Sequence, residues 1–444
     1  MGVTRALAEY LAASRLEDIP RAVRHEATRS LLNWLGCAVG GSQHEAVESA
    51  LAALAPFAGG SQATLVGRGT RVDAVTAALI NGISGHVLDF DDAQPRNTNI
   101  NPSCSVAPAA LALGEHLHAS GAEVLHAFVL GLEVECRIAN TVWAQGSTLW
   151  FANSMAGVFG AAAAAGTLLR LSPQDMTWAL GIAATQAAGL RVVFGTMSKS
   201  FIVGRAAQNG MTAALLAARG FTSSESSLEA PNGFAERFGP DADPAPIVRD
   251  LGQEYEVSHN VYKPFACGIV LHAAIDACIR VRNEHALAAP EIETVELHVN
   301  PATIAVTGNP APTTGLEGKF SVVHCGAVAL IDGAAGEAQF SDARVLSPDV
   351  LDLRARIRPQ VVETLARHQA LARVTLKDGR VLESRVEHAL GSLGNPLRDL
   401  DIEIKLQGLA AGILPTAVAD RLIKTCWKIE DVDDVSLITK LTHP

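Results

Sequence analysis

Carboxylates, amines and imidazoles stand at separate points of this chain. The stretch DFDDAQPRNTNINPSC, residues 89–104, places Asp89, Asp91 and Asp92 within four positions, three residues after His86. GLRVVFGTMSKSFIVGRAAQNG sets Arg191, Lys199 and Arg205 in a glycine-punctuated segment, where Phe194, Met197, Phe201 and Ile202 would desolvate the lysine and make it usable as a base or a carboxylate anchor. YKPFACGIVLHAAIDA carries Tyr262, Lys263 and His272, and GKFSVVHCGAVAL carries Lys319 and His324. A carboxylate that orients, a desolvated amine and an imidazole are the parts of general acid–base chemistry on a small anion.

Each part also has a plainer reading. The aspartates follow a helical pattern and precede two prolines, so they suit a helix-to-loop transition in which Asp caps and turns the chain. A lysine among apolar residues can snorkel to the surface, and a single histidine on an apolar helix is often a satisfied core residue. For His272 an i, i+4 pairing with Asp276 is available. A hard-cation site would space its carboxylates through a loop and add a supporting acid; none follows Asp92, so no metal is expected.

Composition narrows the function classes. A chain of 444 residues with 48% apolar and 18% charged residues can bury a large core, and its length suits two domains. The net charge of −11, with no Lys/Arg cluster, argues against nucleic acid, so cations that hold an anionic ligand must be local. No segment approaches the roughly 20 apolar residues a membrane span needs. The opening MGVTRALAEY lacks an apolar signal core, so a cytoplasmic protein is expected. The seven cysteines are scattered without a C-x-x-C and read as small core residues. GTMSKS has Ser198 where a phosphate-cradling loop needs glycine, which disfavours nucleotide chemistry.

The elements that must position these groups are mostly helical. Ile19, Val23, Ala27, Leu31, Trp34, Leu35 and Ala38 recur at helical spacing, with Asp18 as cap, Pro20 in the first turn and Gly40 and Gly41 as the stop. Further helices are predicted over 72–88, 106–117, 122–139, 157–170, 173–188 and 204–218, several so rich in Ala and Gly that they must pack closely. After that TVELHVN alternates like a strand, and ARVTLKDGRVLESRV reads as a hairpin turning at Asp378-Gly379. The expected fold is mainly α: a large all-helical domain over 1–257, a smaller α+β domain over 258–396, and a C-terminal segment over 397–444 that returns to the helical domain.

Taken together, NGISGHVLDFDD, NPSCSVAPAALALGE, GVFGAAAAAGTLLRL, GTMSKSFIVGRAAQNG, KPFACGIVLHAAIDA and GKFSVVHCGAVAL resemble the MmgE/PrpD family, in the family's order and over nearly the whole chain. That family contains 2-methylcitrate dehydratase, cis-aconitate decarboxylase and iminodisuccinate epimerase. The resemblance implies an active site between the two domains, usually in a homodimer, without metal or organic cofactor, acting on small di- or tricarboxylates by moving a proton next to a carboxylate. It implies catalytic roles for Asp89, Lys199 and His272. Two positions depart: Asn101-Pro102-Ser103 stands where relatives read H-P-S, and Trp150-Phe151-Ala152-Asn153 stands where they carry a W-H-x-T histidine. A third departure puts His324 where many members have tyrosine.

Asn and Phe cannot donate a proton as imidazolium does, so the departures favour the reaction that needs no leaving group. The expected function is therefore a cofactor-independent epimerase of the iminodisuccinate type, with Lys199 as one acid/base, His272 or His324 as the other and Asp89 orienting. Arg191, Arg205, Lys263, His86, Asn101 and Ser103 are the expected substrate-binding residues. A dehydratase of the 2-methylcitrate or citrate class, in which His86 or His324 replaces the lost imidazoles, and a non-catalytic family member are the alternatives.

Overall fold

In the computed structural model, which describes residues 2–144 and 149–444, small side chains decide how closely the helices approach one another. The first half is built from α1 (Val3–Ala13), α2 (Arg21–Gly41), α3 (Glu45–Leu54), α4 (Ala74–Val87), α5 (Ser103–Leu117), α6 (Gly121–Val142), α7 (Ala152–Leu168), α8 (Pro173–Ala184) and α9 (Ser198–Ala217). Helix α7, ANSMAGVFGAAAAAGTL, is buried from Ala152 to Gly166 and packs against α5, α6, α8 and α9. A helix surrounded in this way must be apolar all round and narrow, which its alanines supply. At Gly160 an added Cβ would stand 2.8 Å from the Gly131 carbonyl oxygen of α6.

The crossing of α4 and α9 matters most for the site. A Cβ at Gly82 would lie 2.6 Å from the Gly204 Cα, and one at Gly204 would lie 2.4 Å from the Leu79 carbonyl oxygen. Both distances are well inside van der Waals contact, so the two backbones touch at this point. His86 follows Gly82 by about one turn and Lys199 precedes Gly204 by little more than one. The glycine contact thereby sets the separation of those two side chains.

Several helix starts follow their capping residues. Asp73 accepts from the Thr76 amide at α4, Ser120 and Glu123 form a capping box at α6, and Ser172 accepts from the Asp175 amide at α8. The start of α2 differs from expectation. Asp18 closes a short 3-10 turn and binds Arg15 at 2.9 Å, while Pro20, extended at ψ 141°, serves as N-cap. Gly40 and Gly41 lie inside the last turn of α2 and do not stop it before that, and Gly41 faces the Ser84 carbonyl of α4 too closely for any side chain.

Beyond residue 260 a four-stranded mixed sheet appears. Strand Ile292–Val299 pairs in parallel with Ile357–Val361 and antiparallel with Ala370–Leu376, which continues through a turn at Gly379 (φ 86°) into Val381–Val386. Helices His272–Glu284 and Val322–Asp332 pack against it. Helix Asp399–Ala410 lies along α2, with the Leu406 Cα 3.1 Å from where a Gly36 Cβ would be. From it Lys405 reaches the carbonyls of Phe90 and Lys263 at 2.5 and 2.9 Å, joining the loop after α4 to the segment that carries Lys263. Among the described residues, no helix is long and apolar enough to cross a membrane.

Candidate active site

The site starts where α4 ends. After Leu88 the chain turns at Asp89 with φ 51°, a left-handed conformation that costs a non-glycine residue about 1–2 kcal/mol and that Asp tolerates better than most. Asp92–Ala93 then pairs antiparallel with Val261–Tyr262, Asp92 opposite Tyr262, and this brings Lys263 against the loop. Lys263 Nζ donates to Asp89 Oδ1 at 2.8 Å and to the Asp89 carbonyl at 3.0 Å, with Asp91 Oδ1 at 3.6 Å. From α9, Lys199 Nζ donates to the same Asp89 Oδ1 at 2.9 Å and reaches His86 Nε2 at 2.9 Å. His86 Nδ1 in turn contacts Asp91 Oδ2 at 2.7 Å.

These contacts fix the proton positions. Asp91 accepts only, so the His86 proton lies on Nδ1, and Nε2 is left to accept from the Lys199 ammonium. Burial and the adjacent Lys199 hold His86 below its ordinary range against the pull of Asp91, which keeps the ring neutral. Burial pushes the Asp89 carboxyl up, but Lys199, Lys263 and His86 outweigh it and hold the group well below the usual carboxylate range. Lys263 is raised because Asp89 and Asp91 outweigh its burial. Behind this cluster Asp92 Oδ2 accepts from Ser103 Oγ at 2.7 Å and Asn260 Nδ2 at 2.8 Å, and burial pushes Asp92 up to about 7.

Asp89, Lys199 and Lys263 open onto a cavity of about 280 Å³, which Asn101 and Arg191 also line. The Lys199 ammonium lies 5.8, 6.0 and 5.5 Å from the ring centroids of Phe151, Phe194 and Phe320, which line the cavity too. One wall therefore presents paired charges and much of the rest is apolar. The sequence reading missed Asp91 as the group that orients His86, and it missed Phe151 and Phe320 as walls; Phe151 was visible only as a position where an imidazole is lost.

Not all of the expected binding residues reach the cavity: His86 is buried and does not line it. Arg205 is exposed and hydrogen-bonds Gln208, so it does not line the cavity. Ser103 supports Asp92 from behind, and Asn101 donates to the Asp92 carbonyl at 2.6 Å while its amide donates to Asn153 Oδ1 at 2.6 Å. His272 is buried on the start of its helix, packed edge-on to Phe265 at 5.4 Å, and faces a neighbouring cavity. Asp276 does not pair with it, because Arg280 and the Leu390 amide occupy that carboxylate. His324 Nε2 donates to the Gln339 carbonyl at 2.9 Å, and burial pushes the ring down to about 4. The expected pairing of Lys199 with His272 or His324 across one cavity is thus not formed, because the helices carrying those rings turn them to other surroundings.

One trio has metal-ligand chemistry. His86, Asp91 and Cys104 bring ligand atoms within 4.8 Å of one another. These groups are otherwise engaged: His86 donates from Nδ1 to Asp91 and accepts from Lys199 at Nε2, and burial raises the Cys104 thiol so far that it stays protonated and donates to the Asn101 carbonyl at 2.7 Å. A protonated thiol is a poor ligand, so the trio fits a metal badly.

Residues 5–247 match the MmgE/PrpD N-terminal domain and residues 265–429 the MmgE/PrpD C-terminal domain. The chain belongs to the MmgE/PrpD family. It is similar to the cis-aconitate decarboxylase of Homo sapiens, 26% identical over 99% of this chain and 94% of that one, and to that of Mus musculus, 27% identical over 99% and 93%. The cis-aconitate decarboxylase of Aspergillus terreus is 26% identical over 100% of this chain and 96% of its own length. Within this MmgE/PrpD member, the departures at Asn101 and Phe151 both lie on the cavity wall.

Proposed function

We propose that the chain is a cofactor-independent lyase that decarboxylates a small unsaturated tricarboxylate of the cis-aconitate kind, with Lys199 delivering the proton to carbon. The observation that carries this reading is the convergence of Lys199 and Lys263 on one oxygen of Asp89. An epimerase needs an acid/base group on each face of the reacting carbon, whereas both lysines here approach from the side of Asp89, and no histidine, cysteine or tyrosine is among the described residues that line the cavity. Decarboxylation needs one proton donor. The likeness to cis-aconitate decarboxylases over the full chain supports the same choice.

In the reaction the bond between carbon and one carboxylate breaks, CO₂ leaves, and the electron pair passes into the neighbouring double bond. Lys199 gives its proton to the carbon that gains the pair, and solvent returns a proton to the amine after product leaves. Asp89 and His86 hold the ammonium in place before transfer, and Lys263 keeps Asp89 from drifting towards it. The apolar rings around Lys199 suit loss of charge, since a carboxylate against Phe194 and Phe320 is poorly solvated and becomes neutral CO₂. Arg191, half-buried over the Phe194 ring at 5.7 Å, is placed to hold a carboxylate that remains.

The test is turnover in D₂O followed by NMR and by CO₂ release, with cis-aconitate, related tricarboxylates and aminopolycarboxylates as substrates. One deuterium on carbon per CO₂ released is expected. Exchange with inversion in an aminopolycarboxylate, without CO₂, would overturn the reading in favour of epimerisation.

A further inference from the structure

Three consecutive carbonyls of the Asp89 turn are each held by a different lysine. Lys319 Nζ donates to the Leu88 carbonyl at 2.7 Å, Lys263 Nζ to that of Asp89 at 3.0 Å and Lys405 Nζ to that of Phe90 at 2.5 Å. Two of the three also reach across to the neighbouring segment: Lys319 to the Ala266 carbonyl at 2.9 Å and Lys405 to the Lys263 carbonyl at 2.9 Å. The remaining donor of Lys319 goes to Glu337 Oε1 at 2.9 Å, and that of Lys405 to Asn33 Oδ1 of α2 at 2.8 Å. An ammonium has three donors, so both groups are fully committed. Neither lines the inner cavity.

The residue inside this frame is Asp89, left-handed at φ 51°, and its Oδ1 is where Lys199 and Lys263 meet. A backbone conformation of that kind persists only where its surroundings over-determine it. Lys319 fixes the peptide that precedes Asp89, Lys263 the one that follows, and Lys405 the next, together with the backbone from which the Lys263 side chain springs. Lys319 and Lys405 differ in their charge balance. Glu337 pairs with Lys319, so removing that lysine strands a carboxylate, whereas Lys405 bonds two carbonyls and an amide and forms no ion pair among the described residues. Hydrogen bonds from a charged donor are roughly twice as strong as neutral ones, so the hold of Lys405 depends on its ammonium. That ammonium lies 3.9 Å from the Phe90 ring centroid, beside a separate cavity of about 770 Å³ that Phe90 and Pro264 also line.

We propose that Lys405, on the helix Asp399–Ala410, is a positioning residue for the inner site: its ammonium locks the Asp89 turn to the Lys263 segment and so keeps Asp89 aimed at Lys199. The consequence for rate rests on the lyase reading of that site. The helix near the C-terminus thus acts on proton transfer without touching substrate, through two backbone carbonyls.

Lys405→Met keeps the stem of the side chain, removes only the ammonium and strands no carboxylate. A misplacement of about 1 Å can cost about 10²-fold in rate, so kcat should fall tenfold or more while KM stays within threefold. Hydrogen–deuterium exchange read by mass spectrometry should quicken tenfold or more in 88–94 and 261–266 alone. Lys405→Ala leaves a gap the length of propylammonium beside the 770 Å³ cavity, so that ion should restore at least a third of the parent rate, and propan-1-ol, which lacks the charge, should not. An unchanged kcat in Lys405→Met, exchange that quickens along the whole chain, or equal rescue by propan-1-ol overturns the proposal. If the parent turns over no unsaturated tricarboxylate, the lyase reading falls and exchange decides by itself: quickening confined to those two segments, slowed again in Lys405→Ala by propylammonium, keeps the positioning role, and any other pattern sinks it.

Discussion

Two lysines share one oxygen of Asp89, yet their removal should have opposite consequences. In Lys199→Met, Asp89 keeps Lys263 at 2.8 Å and His86 keeps Asp91 at 2.7 Å, so no carboxylate is stranded. Two hydrogen bonds of an ammonium are lost, each contributing about 1.5–3 kcal/mol, but a buried cation and its repulsion by Lys263 disappear with them. The net change in stability should be about 1 kcal/mol or less. In Lys263→Met two buried carboxylates, Asp89 and Asp91, are left with one ammonium between them, and breaking a buried pair in that way costs about 3–5 kcal/mol. Activity should follow a different order. Loss of a general acid lowers kcat by about 10²–10⁴, so Lys199→Met should be nearly inactive while folded as firmly as the parent. Thermal unfolding by circular dichroism, together with CO₂ release, reads both quantities. If Lys199→Met loses as much stability as Lys263→Met, or keeps more than a tenth of the parent rate, the division into a proton donor and a structural cation is wrong.

Two further outcomes follow from the surroundings. Gly82→Ala should force α4 from α9, cost about 1–3 kcal/mol as overpacking does and lower turnover at least tenfold by parting His86 from Lys199, whereas Gly60→Ala, with nothing within 4 Å, should do neither; unfolding and rate measurements on the pair decide it. Asp92 is raised in the folded state to about 7, so folding favours its protonated form: its stabilising contribution is full below the unfolded value near 4, falls as pH rises towards 7 and is then constant. Asp92→Asn should therefore flatten the midpoint of thermal unfolding between pH 5 and 7 relative to the parent, and an unchanged slope would show that Asp92 ionises freely.

The candidate site was partly legible in the sequence. Asp89, Lys199 and Lys263 could be picked out because charged residues inside apolar or glycine-punctuated segments are costly to bury, and the structure brings these three to one point. The histidines could not be ranked. His86, His272 and His324 all sit on apolar helices, and what separates them is the neighbour each ring meets: Lys199 and Asp91 for His86, Phe265 and an open chamber for His272, the Gln339 carbonyl for His324.

Local chemistry was enough to mark many of the elements: alanine and glycine at helical spacing, alternation in the strands, and Asp378-Gly379 at the hairpin act over a few residues, and so they can be read in one dimension. The tertiary structure decided which charges meet. Lys199 and Asp89 are separated by 110 residues and Lys263 and Asp89 by 174, and their contact depends on the Gly82–Gly204 crossing and on the Asp92–Tyr262 pairing. Electrostatic energy falls with distance in space and is indifferent to distance along the chain, so which carboxylate and which imidazole meet Lys199 became recognisable only after the fold had placed them.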